Sequence, residues 1–322
     1  TAWDWIVDKW WFQKHYGLVA RFDEVGLYQR QAAPDELAEL SFQIDYIDGL
    51  ALTGAKVSDL MIQPGELLET WLQADVRSVP PARYLFTLFL MDTQTYERFA
   101  GVTGEPFDGY YGTSRWQAGD QLSLPVRLEV PDDLQPGTYR LGIIIYDMER
   151  EIELPLVDQP HVPNPDVRVG WFRLGSPTEP PRWPELTAAP HQVQWQNGIE
   201  LTRLALPSHP PAPGQVLPVQ FEWQTSQPLS RDLTVFVHLT DAQDQIVAQT
   251  DRRPFHGRWP TPVWQPSEVL RDTYEIALPD TLLAGRYGLR FGFYDQNGRV
   301  ILADRDSDYG LILNAVKVVE QP

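Results

Sequence analysis

The chain has 322 residues, of which 43% are hydrophobic, 12% aromatic and 22% charged, so it holds enough apolar material for folded cores and too much for a disordered chain. Its length points to two domains plus a tail, and the formal net charge of −18 (Lys+Arg 26, Asp+Glu 44) repels bare nucleic acid and anionic bilayers, which excludes both as main partners. Cysteine is absent, which removes disulfides, thiolate nucleophiles, Cys-ligated zinc and iron–sulfur clusters together.

Thr1 follows no initiator Met, basic n-region or signal-type apolar segment, so the sequence reads as a processed or excised piece of something longer. Trp3, Ile6, Val7, Trp10 and Trp11 recur at helical spacing, with Asp4, Asp8, Lys9 and Lys14 on other faces. That spacing predicts an amphipathic helix, ended by Gly17 and followed by short strands at 18–22 and 25–29 around Asp23-Glu24. Its indoles fit either packing on the first domain or a membrane interface, and packing is the preferred reading.

Beyond residue 44 the strand-like runs are 50–57, 66–74, 84–91, 121–130, 138–146 and 167–174, then 199–206, 216–223, 233–239, 269–278, 286–294 and 311–319. Alternation is clear over 122–130, where the even positions are apolar. The longest apolar runs, at 84–91 and 141–146, fall far short of the roughly 20 residues that span a bilayer. Pro-Gly at 64–65, 136–137 and 213–214 marks turns. Asp92, Asp147, Asp241 and Asp295 each follow a strand and are read as turn-closing residues rather than parts of a calcium cage.

The two series are copies. Asp48-Gly-Leu-Ala-Leu52 matches Asn197-Gly-Ile-Glu-Leu201 at an offset of 149 residues, and Pro64-Gly65 matches Pro213-Gly214 at the same offset. From Pro106-Phe-Asp-Gly109 against Pro254-Phe-His-Gly257 the offset is 148, and it holds through Trp116 against Trp264 and Tyr139 against Tyr287. The expected fold is all-β: two tandem immunoglobulin- or fibronectin-like antiparallel β-sandwiches with a short N-terminal α+β segment. The expected bounds are 1–44 for that segment, 45–174 for the first sandwich, 175–194 for a Pro-rich linker and 195–322 for the second sandwich.

Six histidines show no metal-ligand spacing, and neither a nucleophile elbow nor a phosphate-cradling glycine loop occurs. No catalytic residue, metal ligand or cofactor is assigned. The informative feature is an aromatic loop in both copies, 107–116 and 255–264. Trp116 and Trp264, retained in both, are read as plugs at the end of each sandwich, with Tyr139 and Tyr287 as further structural aromatics. Tyr110, Tyr111 and Trp259 differ between copies and are the candidate binding residues, expected to be exposed for stacking on sugar rings or on a partner protein.

The runs Phe221-Glu-Trp-Gln-Thr-Ser-Gln-Pro-Leu229, Leu233-Thr-Val-Phe-Val-His-Leu-Thr-Asp241, Val247-Ala-Gln-Thr-Asp251, Trp264-Gln-Pro266 and Gly285-Arg-Tyr-Gly-Leu-Arg-Phe-Gly-Phe-Tyr-Asp295 resemble the extracytoplasmic C-terminal β-sandwich of bacterial multi-pass glycosyltransferases of the dolichyl-phosphate-mannose mannosyltransferase-like class. The first copy is a looser version of the same pattern. The resemblance implies a non-catalytic recognition or spacer module outside the cytoplasm, periplasmic or at the cell surface. Glycan or another envelope protein would be its partner, and the membrane would be reached only through an upstream region. Catalytic acids in that class lie between membrane helices, so none is carried over to this chain. A free-standing cell-surface or extracellular structural protein, an envelope-layer or fibre component, is the alternative; a carbohydrate-active enzyme ranks third.

Overall fold

A computed structural model describes residues 8–22, 25–30, 37–162, 167–177, 186–304 and 310–319. Helix α1 (Trp10–His15) leads into the antiparallel hairpin β1 (Tyr16–Phe22) and β2 (Val25–Arg30). The part of the expected helix carrying Trp3, Ile6 and Val7, and the turn at Asp23-Glu24, lie outside the described residues.

The first sandwich contains β3 (Ala38–Leu40), β4 (Ile44–Asp45), β5 (Leu50–Val57), β6 (Met61–Ile62), β7 (Leu67–Val76), β8 (Tyr84–Asp92), β9 (Arg98–Gly104), β10 (Gln121–Glu129), β11 (Gly137–Asp147), β12 (Ile152–Glu153) and β13 (Val167–Leu174). The second contains β14 (Leu186–Gln194), β15 (Ile199–Pro207), β16 (Val216–Thr225), β17 (Thr234–Thr240), β18 (Ile246–Arg252), β19 (Leu270–Ala277), β20 (Gly285–Asp295), β21 (Gly298–Arg299) and β22 (Gly310–Val318).

Sheet order repeats between them. In the first sandwich one sheet runs β10-β7-β5-β3 and the other contains β13-β11-β8-β9; in the second these become β19-β16-β15-β14 and β22-β20-β17-β18. A three-strand core sheet facing a four-strand sheet, in this connection order, is the arrangement of fibronectin-like sandwiches, with β3 and β14 added at the outer edge. Local contacts repeat as well. Tyr46 N–H donates to Leu50 O as Trp195 N–H does to Ile199 O (both 2.8 Å), and isolated bridges join Tyr46 to Leu156 and Trp195 to Leu302.

Two boundaries differ from expectation. β3 and β4 pair with β5, so the first sandwich begins before residue 45. The second begins before residue 195, because 186–194, assigned to the linker, forms β14 along β15. Pro190 does not prevent this: β14 is an edge strand and its register shifts between Pro190 and Val193, the two circumstances in which a sheet tolerates a missing donor. The chain divides into compact units of Thr1–Met91, Glu97–Leu134 and Arg140–Gly170, and of Asp92–Tyr96, Gln135–Tyr139 and Trp171–Pro322, so the division cuts through β13 rather than falling at 174/175.

In the second sandwich an aromatic cluster takes the place of a disulfide pin. Phe221 stacks on Trp223 at 4.8 Å, and Trp195 meets Phe293 edge-on at 5.1 Å, all in one buried core with Val235, Val237 and Leu289. In the first sandwich Leu50, Leu52, Leu72, Leu88, Leu90, Ile143 and Ile145 are buried. On the other face of β8, the Phe89 ring lies so close over Gly142 that a Cβ there would sit 2.2 Å from the ring, which explains a glycine in the middle of a central strand. Among the described residues no helix is long and apolar enough to cross a membrane.

Candidate functional site

Both aromatic loops are built to one plan. Phe107 and Asp108 (φ 54° each) and Phe255 and His256 (φ 51° and 57°) are left-handed, followed by Gly109 (φ 80°) and Gly257 (φ 83°). Left-handed backbone at residues with a Cβ costs about 1–2 kcal/mol each, so something must hold it. A buried threonine does so at the far side of each loop. Thr113 Oγ1 accepts from Tyr84 N–H at 2.9 Å and donates to Ala82 O at 3.2 Å. Thr261 Oγ1 accepts from Leu233 N–H at 3.0 Å and donates to Arg231 O at 2.5 Å. The indole N–H of Trp116 donates to Tyr111 O and that of Trp264 to Trp259 O, both at 3.0 Å.

Trp116 and Trp264 are 0% and 2% exposed and so lie inside their sandwiches. Tyr139 and Tyr287 are buried and close the same corner in each copy. The Tyr139 hydroxyl donates to Gln135 O at 2.5 Å and that of Tyr287 to Leu283 O at 2.7 Å, the tyrosine corner of immunoglobulin-like domains.

The candidate binding residues fare differently. Trp259, expected on the surface, is 4% exposed. Within the second unit the Arg173 guanidinium lies over its ring at 5.1 Å, and that guanidinium is held in turn by Glu268 (2.5 and 2.6 Å) and by Val263 O (2.9 Å). Charge on β13 therefore covers an aromatic that the sequence presents as free. Tyr110 and Tyr111 are half-buried rather than exposed. Tyr111 packs against Phe107 at 6.2 Å and donates to Asp120 at 3.1 Å; burial and that bond raise its phenol above the ordinary value. A three-aromatic exposed stacking surface is not what these residues form.

All four post-strand aspartates accept backbone N–H bonds from their own turns. Asp92 takes those of Gln94 and Thr95, Asp147 those of Glu149 and Arg150, Asp241 those of Gln243 and Gln245, and Asp295 that of Asn297. Among the described residues no group of three or more His, Asp or Glu is disposed to hold a metal ion.

Two features escaped sequence reasoning. On β17 the His238 Nε2 lies 3.2 Å from Asp251 Oδ1, and the Tyr294 hydroxyl donates to Asp251 Oδ2 at 3.3 Å. Burial lowers the His238 pKa below its ordinary value despite Asp251, so the ring is neutral near pH 7. The second feature is a cleft of about 160 Å³ where α1 crosses the open edge of the first sandwich between β9 and β10. Trp10 meets Trp71 edge-on at 5.6 Å and lies under the Arg127 guanidinium at 4.3 Å; Trp11 meets Phe107 at 5.6 Å, and Lys9 pairs with Asp108 at 3.1 Å. Helical periodicity gave α1 an apolar face, but nothing in the sequence told which strand edge it would cover.

No family model and no curated protein matches the chain. Among solved structures it is similar to a red sea bream transglutaminase, at 12% identity and a TM-score of 0.25, over 89% of this chain and 31% of that one. The chain thus spans about a third of that structure's length, and a likeness of this size says nothing about activity.

Proposed function

We propose that the chain is a non-catalytic, extracytoplasmic module of a membrane glycosyltransferase-like protein, serving in recognition or as a spacer. One observation supports the non-catalytic part: the threonines, corner tyrosines and post-strand aspartates of the duplicated loops and turns are engaged in backbone bonds of the same kind in both copies. Thr113 and Thr261 satisfy strand ends, the two tyrosine corners close on their own chain, and the four aspartates cap turns. A reactive centre needs polar groups free to meet a substrate. The link to the glycosyltransferase class rests on the sequence resemblance of 221–295.

The test has two arms. The intact chain is incubated with activated sugar donors and acceptor glycans, and no turnover is expected; turnover abolished by a single Asp or Glu substitution in this chain overturns the non-catalytic reading. The coding sequence upstream of Thr1 is then read: many apolar spans are expected, whereas a signal peptide alone favours the free-standing surface protein.

A further inference from the structure

The duplication turns the cleft at α1 into an internal comparison. In the second sandwich the same edge is closed. Arg252 reaches from β18 to Asp272 (2.8 and 3.1 Å) and to Thr273 O (2.6 Å) on β19, and its guanidinium lies over Tyr274 at 3.9 Å. At the 148-residue offset the equivalents of Arg252, Asp272, Thr273 and Tyr274 are Gly104, Leu124, Pro125 and Val126. All four line the cleft, joined by Trp10, Trp11, Phe86 and Arg127. The polar plug of one copy is missing from the other, and a helix bearing two indoles stands over the opening. A Cβ added at Gly104 would meet nothing within 4 Å, so the space there is open.

The lining narrows the chemistry of an occupant. At about 160 Å³ the cleft lies well below the ~300–1,000 Å³ of drug-sized sites, which leaves room for one ring rather than a nucleotide or cofactor. Its apolar walls combine the rings of Trp10, Trp11 and Phe86 with Pro125 and the aliphatic Leu124 and Val126. Its nearby charges are already paired, Lys9 with Asp108, Arg83 with Glu105 and Arg127 with Glu69, so neither a free anion nor a free cation finds an unmatched partner among them. Two N–H groups of the lining, Trp11 Nε1 and Arg127 Nε, are buried without a hydrogen-bond partner among the described residues, an unmet demand for oxygen acceptors. Carboxylates of Glu105 and Asp108 in the same lining accept from hydroxyl hydrogens. A small ring with an apolar face, and with hydroxyls that both accept and donate, meets all of these conditions.

We propose that this cleft of the first sandwich binds a single neutral pyranose residue, the terminal sugar of a glycan. The proposal deepens the recognition half of the function proposed above and gives it a location distinct from the aromatic loop tips. In the second sandwich Arg252 fills the corresponding place.

Ligand-observed NMR and titration calorimetry on the intact chain, with glucose, galactose, mannose and N-acetylglucosamine at millimolar concentration, test this. Saturable binding of at least one sugar is expected. Trp11→Phe, which keeps an aromatic ring of smaller size and removes the N–H, weakens it about three- to tenfold, the worth of one hydrogen bond. Gly104→Leu, which fills the open space, abolishes it while leaving the thermal midpoint unchanged. No saturable binding by any of the four sugars overturns the proposal, as does binding that neither variant alters. Sugar binding together with donor turnover would sink the non-catalytic reading and leave the cleft standing; no binding and no turnover would do the reverse.

Discussion

Replacing Thr261 by valine tests whether a buried hydroxyl holds the second aromatic loop. Thr261 is 0% exposed, and its hydroxyl serves two backbone groups, Leu233 N–H at 3.0 Å and Arg231 O at 2.5 Å. Valine has nearly the same shape, so no cavity opens, but both backbone groups lose their partner. A buried group left unsatisfied costs about 1–3 kcal/mol, and the added methyl returns about 0.8 kcal/mol at most. For two such groups the net expected loss is about 1–5 kcal/mol, centred on ~3 kcal/mol, which is roughly 5–15 °C in thermal midpoint for a unit of this size. Serine is the control: it keeps both bonds and sacrifices one buried methyl, at about 1 kcal/mol. Urea denaturation followed by tryptophan fluorescence should therefore rank wild type above Thr261→Ser above Thr261→Val. Hydrophobicity alone predicts the opposite order for the two variants. The same ranking is expected at Thr113, whose hydroxyl makes the equivalent bonds. If valine is as stable as serine at either site, the hydroxyl is not what holds the loop.

Trp264→Ala and Trp116→Ala should each cost about 3–5 kcal/mol, and the Phe variants clearly less, read from denaturant midpoints. Glu268→Ala leaves the Arg173 guanidinium, 2% exposed, without its carboxylate; a loss of about 3–5 kcal/mol is expected, and Arg173→Met with Glu268→Ala should recover part of it. Hydrogen bonding from Arg231 lowers the Asp295 pKa from the ordinary 3.8 to about 2, so this pair stabilises the fold above about pH 4 and its contribution fades as pH falls towards 2. Asp295→Asn should flatten that part of the stability–pH curve measured by urea denaturation, and an unchanged slope would refute the assignment. Tyr139→Phe and Tyr287→Phe should each lose about 1 kcal/mol, the worth of one buried hydroxyl bond, with no change in secondary structure by circular dichroism.

Strand positions were legible from short apolar runs bounded by turn residues: 50–57 and 167–174 coincide with β5 and β13, and in β10 the alternation places the apolar even positions 124 and 128 inward. The duplication was legible because turn residues are chemically constrained. Pro-Gly at 64–65 and 213–214 supplies a glycine at φ 74° and 78°, and few other residues serve there. Strands β9 and β18 were not foreseen, since both are partly solvent-facing edge strands without a clean alternation, β9 interrupted by Gly101 and β18 polar over 249–252. β14 was missed for a related reason: Pro190 and the proline-rich stretch before it read as a linker, and only pairing along one edge of β15 makes it a strand.

For the site, the sequence determined that the loop tryptophans would be kept in both copies, because a repeated residue in a diverged duplicate marks a shared packing demand. Exposure of the remaining aromatics was decided by tertiary structure alone. Trp259 and Tyr111 occupy equivalent places in their loops, but Arg173, 86 positions away from Trp259 in the sequence, folds over one ring, while Phe107 and Asp120 hold the other. The cleft at α1 has the same origin. Gly104, Leu124, Pro125 and Val126 are unremarkable strand residues in sequence, and they become a cavity only because two strand edges and a helix meet there without the arginine that fills the other copy. Local periodicity fixes which face of an element is apolar. What that face meets depends on contacts between residues far apart in the chain, which no local pattern encodes.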